Sequence, residues 1–240
     1  MDCIHIIIGA RWLLTQNKEI TKMKIIKIEL QTNNIQATEK FYTEVLELKG
    51  FDRKPETISF QAGHSILSFN ESPFTNSKYH FAFNIPQNKL KEAIQWISPK
   101  TELIKNSDDS VTTRFEDWNA ESIYFYDNNG NILEFISRFD LNNASDQTFD
   151  STSILSVSEM GIVSDKPLVL AEELTKIKDL DYFVKGPKRK DFVAVGDEQG
   201  LLVISSPKRN WFPTNNPAEK HPLKISILVN DSIELLEFVH

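Results

Sequence analysis

The chain has 240 residues, of which 40% are hydrophobic and 25% are charged, as in ordinary globular proteins. Its formal net charge of −7 argues against a nucleic-acid surface. No stretch of the sequence reaches the roughly 18 to 20 apolar residues of a membrane span. The single cysteine, Cys3, cannot form an intrachain disulfide. These features predict a cytoplasmic protein with neither a nucleic-acid partner nor a membrane partner.

A regular pattern of strands and helices starts at Met23, and we interpret residues 1–22 as an N-terminal extension. The stretch KIIKIELQT alternates apolar and polar residues, which predicts a strand with one packed face. Its polar face carries Lys27, Glu29 and Gln31. The next stretch, NNIQATEKFYTEVLEL, predicts a helix capped by an asparagine, and two short strands follow it.

The same order of elements returns further along the chain. The stretch YHFAFNI alternates in the same way and places His80, Ala82 and Asn84 on one face. A helix and several strands follow. Residues 24–72 and 78–138 are therefore predicted to be two copies of a β-α-β-β-β module, identified from the order of elements rather than from residue identity.

A polar segment without periodicity, residues 141–152, predicts a linker. A third copy of the module begins after it. The last stretch, LKISILVNDSIELLEFV, predicts a strand followed by a helix, which is a fourth copy cut off after its helix. The predicted organisation is a domain of two modules over residues 23–140 and a second, incomplete unit over residues 153–240.

The stretch YFYDNNGNILEFISR places a carboxylate, Glu134, among the apolar residues of a strand. It resembles a D-P-D-G-N-x-x-E motif at Asp127, Gly130, Asn131 and Glu134, with asparagines in place of the usual Pro and second Asp. With FYTEVLEL and HFAFNIP, this motif makes the chain similar to the vicinal oxygen chelate superfamily of glyoxalase I, bleomycin-resistance proteins and extradiol dioxygenases. The resemblance covers residues 23–138 well and residues 153–240 more faintly.

The resemblance implies an α+β fold in which paired β-α-β-β-β modules form a curled, cup-shaped mixed sheet with the helices outside. Enzymes of this superfamily hold a divalent metal in the cup, here Fe, Mn, Zn or Ni, on His, Glu or Gln side chains. His80 and Glu134 match two ligand positions. Lys27 falls on the third, where Glu29 would serve instead if the register were shifted. Glu159 lies near the equivalent position of the third copy, but we expect no second metal site because the fourth copy is incomplete.

Two functions follow from the resemblance. One is a metal-dependent lyase or dioxygenase acting on a small vicinal-oxygen substrate, with Glu134 and Lys27 as catalytic residues. The other is a metal-free protein that binds a small molecule of the antibiotic kind in a polar pocket of Lys27, His80 and Glu134. A homodimer is compatible with both. The predicted substrate-binding residues are Gln31, Asn84, Trp118 and Tyr124.

Overall fold

The computed structural model describes residues 23–72 and 75–239, so the predicted extension of residues 1–22 lies outside the described part of the chain. Thirteen strands are found in these residues. They are β1 (Lys24–Thr32), β2 (Lys49–Lys54), β3 (Thr57–Ala62), β4 (Ser65–Glu71), β5 (His80–Ile85), β6 (Thr112–Phe115), β7 (Ala120–Tyr126), β8 (Ile132–Arg138), β9 (Ser156–Val163), β10 (Phe192–Asp197), β11 (Gly200–Ser205), β12 (Leu223–Val229) and β13 (Ser232–Phe238).

Three α-helices connect strands of the described chain, each after the first strand of a module. They are α1 (Ile35–Lys40), α2 (Leu90–Ile97) and α3 (Pro167–Ile177). Helix α1 is capped by Asn34, whose side chain accepts a hydrogen bond from the amide of Ala37, as the sequence predicted. None of the described helices combines the length and the apolar character that crossing a bilayer requires.

The strands form two mixed sheets. The first sheet has six strands in the order β13-β12-β1-β4-β3-β2, and the second has seven in the order β10-β11-β9-β5-β8-β7-β6. The second sheet curls into a half-barrel. This arrangement confirms the predicted α+β fold of β-α-β-β-β modules with a curled sheet.

Each sheet combines strands from two modules. In the second sheet, β5 of the second module pairs with β9 of the third. In the first sheet, β1 of the first module pairs with β12 of the last. The residues of β1 therefore lie in a different sheet from those of β5 and β8, which decides where the predicted site residues fall.

The predicted C-terminal helix is wrong. Residues 223–238 form an antiparallel hairpin of β12 and β13, in which Val229 pairs with Ser232. Asn230 and Asp231 make the turn, both with positive φ (47° and 61°). This backbone suits a two-residue hairpin turn and favours asparagine and aspartate, so Asn230 and Asp231 join two strands where the fourth copy was predicted to have a helix.

The alternating residues of the central strands face two different environments. Phe81, Phe83 and Phe135 are fully buried in the main core, which also contains the inner faces of the helices. The residues between them, including His80 and Glu134, point to the concave side of the second sheet. The observed faces agree with the predicted alternation of β5 and β8.

Candidate functional site

Three neighbouring strands bring two carboxylates together on the concave side of the second sheet. Ala82 of β5 pairs with Glu134 of β8 on one side and with Glu159 of β9 on the other. The small side chain of Ala82 leaves room for both carboxylates. His80 lies two residues along β5 and therefore on the same face.

The three side chains form a compact cluster. His80, Glu134 and Glu159 each offer a nitrogen or oxygen atom that lies within 4.8 Å of the others. His80 Nε2 is 3.6 Å from Glu134 Oε2. All three residues are buried, with at most 7% of their surface exposed. We refer to them as the His-Glu-Glu cluster.

The hydrogen bonding of His80 leaves one ring nitrogen free to bind a ligand. Its Nδ1 lies 3.1 Å from the carbonyl oxygen of Ile132, which can only accept, so Nδ1 carries the proton. Burial lowers the pKa of His80 from 6.5 to about 4. The imidazole is therefore neutral at physiological pH and points the lone pair of Nε2 towards the carboxylates.

Glu134 is held in an environment that favours its protonated form. Burial, and secondly the charge of Glu159, raise its pKa from 4.5 to about 8. Interactions with Ser122, Arg138 and Tyr124 oppose this increase. Tyr124 lies directly opposite Glu134 on the neighbouring strand β7.

Glu159 pairs with a buried cation. Arg138 is fully buried, its Nη2 donates to Glu159 Oε1, and its Nε donates to Ser158 Oγ at 3.2 Å. Ser158 is the extra residue of a β-bulge, since Ala82 pairs with Glu159 and Phe83 with Val157. The bulge explains how consecutive residues of β9 can both reach Arg138.

A cavity of about 620 Å³ opens onto the cluster, a size that suits a small-molecule ligand. Its aromatic wall includes Trp118, Tyr124, Trp211 and Phe212. The Trp211 ring lies 5.2 Å from that of His80. It can approach this closely because β9 has a glycine, Gly161, where a Cβ atom would lie 2.9 Å from the indole.

Two predicted site residues lie outside this cluster. Lys27 and Glu29 belong to the first sheet, where Lys27 Nζ lies 3.1 Å from Glu29 Oε1. The expectation that one of them would complete the site beside Glu134 is therefore corrected. Glu159, which the sequence analysis set aside, occupies the third position because β5 pairs with β9 rather than with β1.

The four predicted substrate-binding residues divide into two pairs. Trp118 and Tyr124 line the cavity. Gln31 lies on the first sheet, where its side-chain oxygen accepts hydrogen bonds from Thr75 and Ser77. Asn84 lies further along β5, and its side-chain amide donates to the carbonyl oxygen of Glu198. Gln31 and Asn84 are not part of the cavity wall.

The sequence contains a feature that could have identified Glu159 as a site residue. In the strand SVSEMGIV it is a carboxylate among apolar residues, the same feature that drew attention to Glu134. Arg138 was missed for the opposite reason, because a cation at the end of a strand usually reaches solvent. The pairing of β8, β5 and β9 makes both residues part of the site.

The donor set of the cluster fits a divalent metal ion. It combines one neutral imidazole nitrogen with two carboxylates, ligands that suit Fe, Mn, Zn or Ni. The hydrogen bond from Nδ1 to Ile132 is the type of support that orients a metal-binding histidine. Three protein ligands would leave coordination positions open towards the cavity.

No protein-family model matches the chain, and no curated protein matches it either. Several solved structures, in contrast, are similar to the chain. A proposed dioxygenase from Bacillus subtilis is 16% identical, with a TM-score of 0.57, over 91% of this chain and 70% of that chain. Glyoxalase I from Zea mays is 14% identical, with a TM-score of 0.54, over 88% and 76%. The chain therefore has the fold of the vicinal oxygen chelate superfamily, to which glyoxalases and dioxygenases belong.

Proposed function

We propose that this chain is a metal-dependent enzyme of the glyoxalase or dioxygenase kind, acting on a small oxygenated molecule in the cavity of the second sheet. The observation that carries this proposal is the His-Glu-Glu cluster, which lies buried at the cavity with donor atoms within 4.8 Å of one another. A divalent metal bound there would supply Lewis-acid chemistry by polarising adjacent oxygen atoms of the substrate.

The protein's own groups would handle protons and exclude water. Without a metal, Glu134 has a pKa of about 8 and holds a proton near neutral pH, so it is suited to general acid–base work. Burial and the neighbouring carboxylates raise the pKa of Tyr124, which keeps its hydroxyl protonated beside Glu134. Trp211 and Phe212 line the cavity beside the cluster with apolar surface, which would limit the access of water to this region. Lys27 has no part in this mechanism.

A metal-free binding protein is the second candidate, and one observation favours it. Arg138 already compensates the charge of Glu159, and Glu134 is largely protonated near neutral pH. The cluster is therefore electrostatically satisfied without a metal. In this case the cavity would bind a small molecule through its aromatic wall and the cluster, without Lys27. For either function, a homodimer and a cytoplasmic location stay predictions from the sequence.

The metal content of the protein separates the two candidates. The chain should be purified without a metal-affinity tag or chelator and analysed for Fe, Mn, Zn and Ni. The enzyme proposal predicts about one metal ion per chain, and loss of that metal in Glu134→Gln but not in the surface control Glu29→Gln. A folded protein that stays metal-free after incubation with each of the four ions would contradict the proposal and favour the binding protein.

A further inference from the structure

The wall of the cavity carries four basic and four acidic side chains, whereas the chain as a whole has a net charge of −7. Four basic side chains line it: Arg114, Lys185, Arg189 and Arg209. They differ in how well the protein neutralises them, and this difference indicates which of them are available to a ligand.

Two of the four have close partners. Lys185 Nζ lies 2.5 Å from Glu198 Oε1 and also contacts the carboxylate of Asp140. Arg114 Nε lies 3.3 Å from Glu116 Oε2, and its Nη2 donates to the side chain of Asn119 at 3.0 Å. Lys185 and Arg114 are therefore neutralised or hydrogen-bonded within the protein, and they are less available to a ligand.

Arg189 and Arg209 share one carboxylate at longer range. Their Nε atoms lie 3.7 and 3.9 Å from the two oxygens of Asp191, distances longer than those of hydrogen bonds. One carboxylate balances only one of two guanidinium charges. Burial and the charge of Arg189 both lower the pKa of Arg209, which agrees with two cations held close together.

A shared aromatic residue keeps the two guanidinium groups in place. Their Cζ atoms lie 5.9 Å (Arg189) and 4.3 Å (Arg209) from the centre of the Phe192 ring, which itself lines the cavity. Contact with a ring face limits the motion of a guanidinium group without using its N–H donors. One donor of Arg209, Nη1, is used in a long hydrogen bond of 3.3 Å to the carbonyl oxygen of Asn210, and the remaining donors stay available. Such a pair matches the planar oxygen atoms of a carboxylate or the oxygens of a phosphate.

We infer that Arg189 and Arg209 form an oxyanion-binding subsite, so that the molecule bound in this cavity carries a carboxylate or phosphate group on an aromatic or apolar body. The anionic group would contact the arginine pair, and the body would lie against the aromatic wall. That this molecule is a substrate rests on the proposed function, whereas the anion subsite itself does not require a metal.

Calorimetric titration with three probes of similar shape tests the inference. Benzoate and phenyl phosphate carry the two anionic groups, and benzyl alcohol is a neutral control. The titrations are run in EDTA, so that a negative metal result for the proposed function does not affect them. The test variant is Arg189→Gln/Arg209→Gln. The matched control is Lys190→Gln/Lys208→Gln, which removes the same charge from the same two loops at residues outside the cavity wall.

We expect at least one anion to bind the unaltered protein at least tenfold more tightly than benzyl alcohol. We expect the double arginine variant to lose about tenfold or more of that affinity, since a charge-assisted hydrogen bond is worth about that much. The lysine control should keep it. The tighter of the two anions identifies the group as carboxylate or phosphate. Equal binding by the two double variants, or no preference for either anion over benzyl alcohol, would overturn the inference.

Discussion

In each sheet the first strand of a module lies between a parallel neighbour and an antiparallel one. Strand β5 lies between β8 and β9, and β1 lies between β4 and β12. We take Lys27 as the counterpart of His80, as counting along the sequence suggests, and the registers then relate the neighbouring positions. In the second sheet, His80 pairs with Ile132 and Ala82 pairs with Glu134. In the first sheet, the corresponding pairs are Lys27 with Ile66 and Glu29 with Ser68.

The antiparallel neighbours give the position in the first sheet that corresponds to Glu159. Ala82 pairs with Glu159, and Glu29 pairs with Lys224. The positions of the His-Glu-Glu cluster are thus occupied in the first sheet by Lys27, Ser68 and Lys224. Two ammonium groups and a hydroxyl do not form a site for a divalent cation, because a protonated lysine has no lone pair to donate.

The corresponding faces of the two sheets also differ in how their charges are balanced. In the first sheet, Lys27 pairs with Glu29 and Lys224 pairs with Glu237 through part-exposed ion pairs. In the second sheet, the charges are buried. Burial raises the pKa of Glu134 and makes each lost partner costly. One fold therefore presents the same strand positions twice, and the residues at three of them decide which copy carries the His-Glu-Glu cluster.

Metal affinity should differ most strongly between the two sheets. His80→Ala and Glu134→Gln each remove a donor from the cluster, and we expect Mn²⁺ or Zn²⁺ binding to become undetectable. The loss should exceed the roughly 10- to 100-fold that removal of a supporting hydrogen bond costs. Lys27→Ala and Ser68→Ala, at the corresponding positions of the first sheet, should bind the metal like the unaltered protein. Calorimetric titration measures all four variants. If Glu134→Gln still bound Mn²⁺ or Zn²⁺, the predicted difference in metal affinity between the two sheets would be wrong.

Stability should depend on the buried cation of the second sheet and not on a part-exposed cation of the first sheet. Arg138→Met leaves Glu159 buried without its partner, and we expect the free energy of unfolding to fall by about 3 to 5 kcal/mol. Lys224→Met removes an exposed partner of Glu237 and should leave urea unfolding unchanged within error. Equal unfolding midpoints for the two variants would show that burial of the Arg138–Glu159 pair has no energetic consequence.

The pH dependence of stability should report the buried carboxyl group. Between pH 4 and 6.5 the unfolded chain protonates a histidine that folding keeps neutral, so His80 makes stability rise with pH. Between pH 4.5 and 8 the folded protein holds a proton on Glu134 that the unfolded chain has lost, so Glu134 makes stability fall with pH. The two contributions to stability oppose each other up to pH 6.5. Between pH 6.5 and 8, only Glu134 of these two residues still changes the stability.

In that upper window and in EDTA, Glu134 should lower the free energy of unfolding by about 1 to 2 kcal/mol as the pH rises. Urea unfolding at intervals of half a pH unit measures this. Glu134→Gln should lose the decline, whereas Glu29→Gln, on the first sheet, should keep it. The pKa of Glu134 would be near its ordinary value if the two variants had the same profile from pH 6.5 to 8.

The smallest effect is expected at Lys27. Its ion pair with Glu29 is about one-third exposed, so Lys27→Met should change the free energy of unfolding by less than about 1 kcal/mol. We expect no change in benzoate binding either, because Lys27 does not line the cavity. Urea unfolding and calorimetry give both values. A tenfold loss of benzoate affinity would restore Lys27 to the ligand-binding site.

Local patterns in the sequence were enough to predict the faces of the strands. Alternation placed His80 and Phe81 on opposite faces, the resemblance assigned the face of His80 to the cup, and the turn motif drew attention to Glu134. Counting along the chain matched Lys27 to the position of a ligand, and this correspondence with His80 stays a prediction from the sequence. These features depend on residues that are close together in the chain.

Which strands are neighbours could not be read from the same patterns. The pairing of β5 with β9 joins residues more than 70 positions apart, and it alone brings Glu159 to Glu134 and Arg138. The bulge at Ser158 is equally invisible in the alternation. At the C-terminus, the order of elements predicted a helix after the strand, whereas a two-residue turn at Asn230 and Asp231 produced a hairpin. Long-range pairing and turn geometry therefore account for the errors.

A crystal structure of the protein soaked in Mn²⁺, with anomalous scattering data, tests the central difference between the two sheets most directly. We predict one strong anomalous peak bonded to His80, Glu134 and Glu159, and no peak at Lys27, Ser68 and Lys224. The absence of a peak at the His-Glu-Glu cluster, or a peak of equal height on the first sheet, would contradict this account.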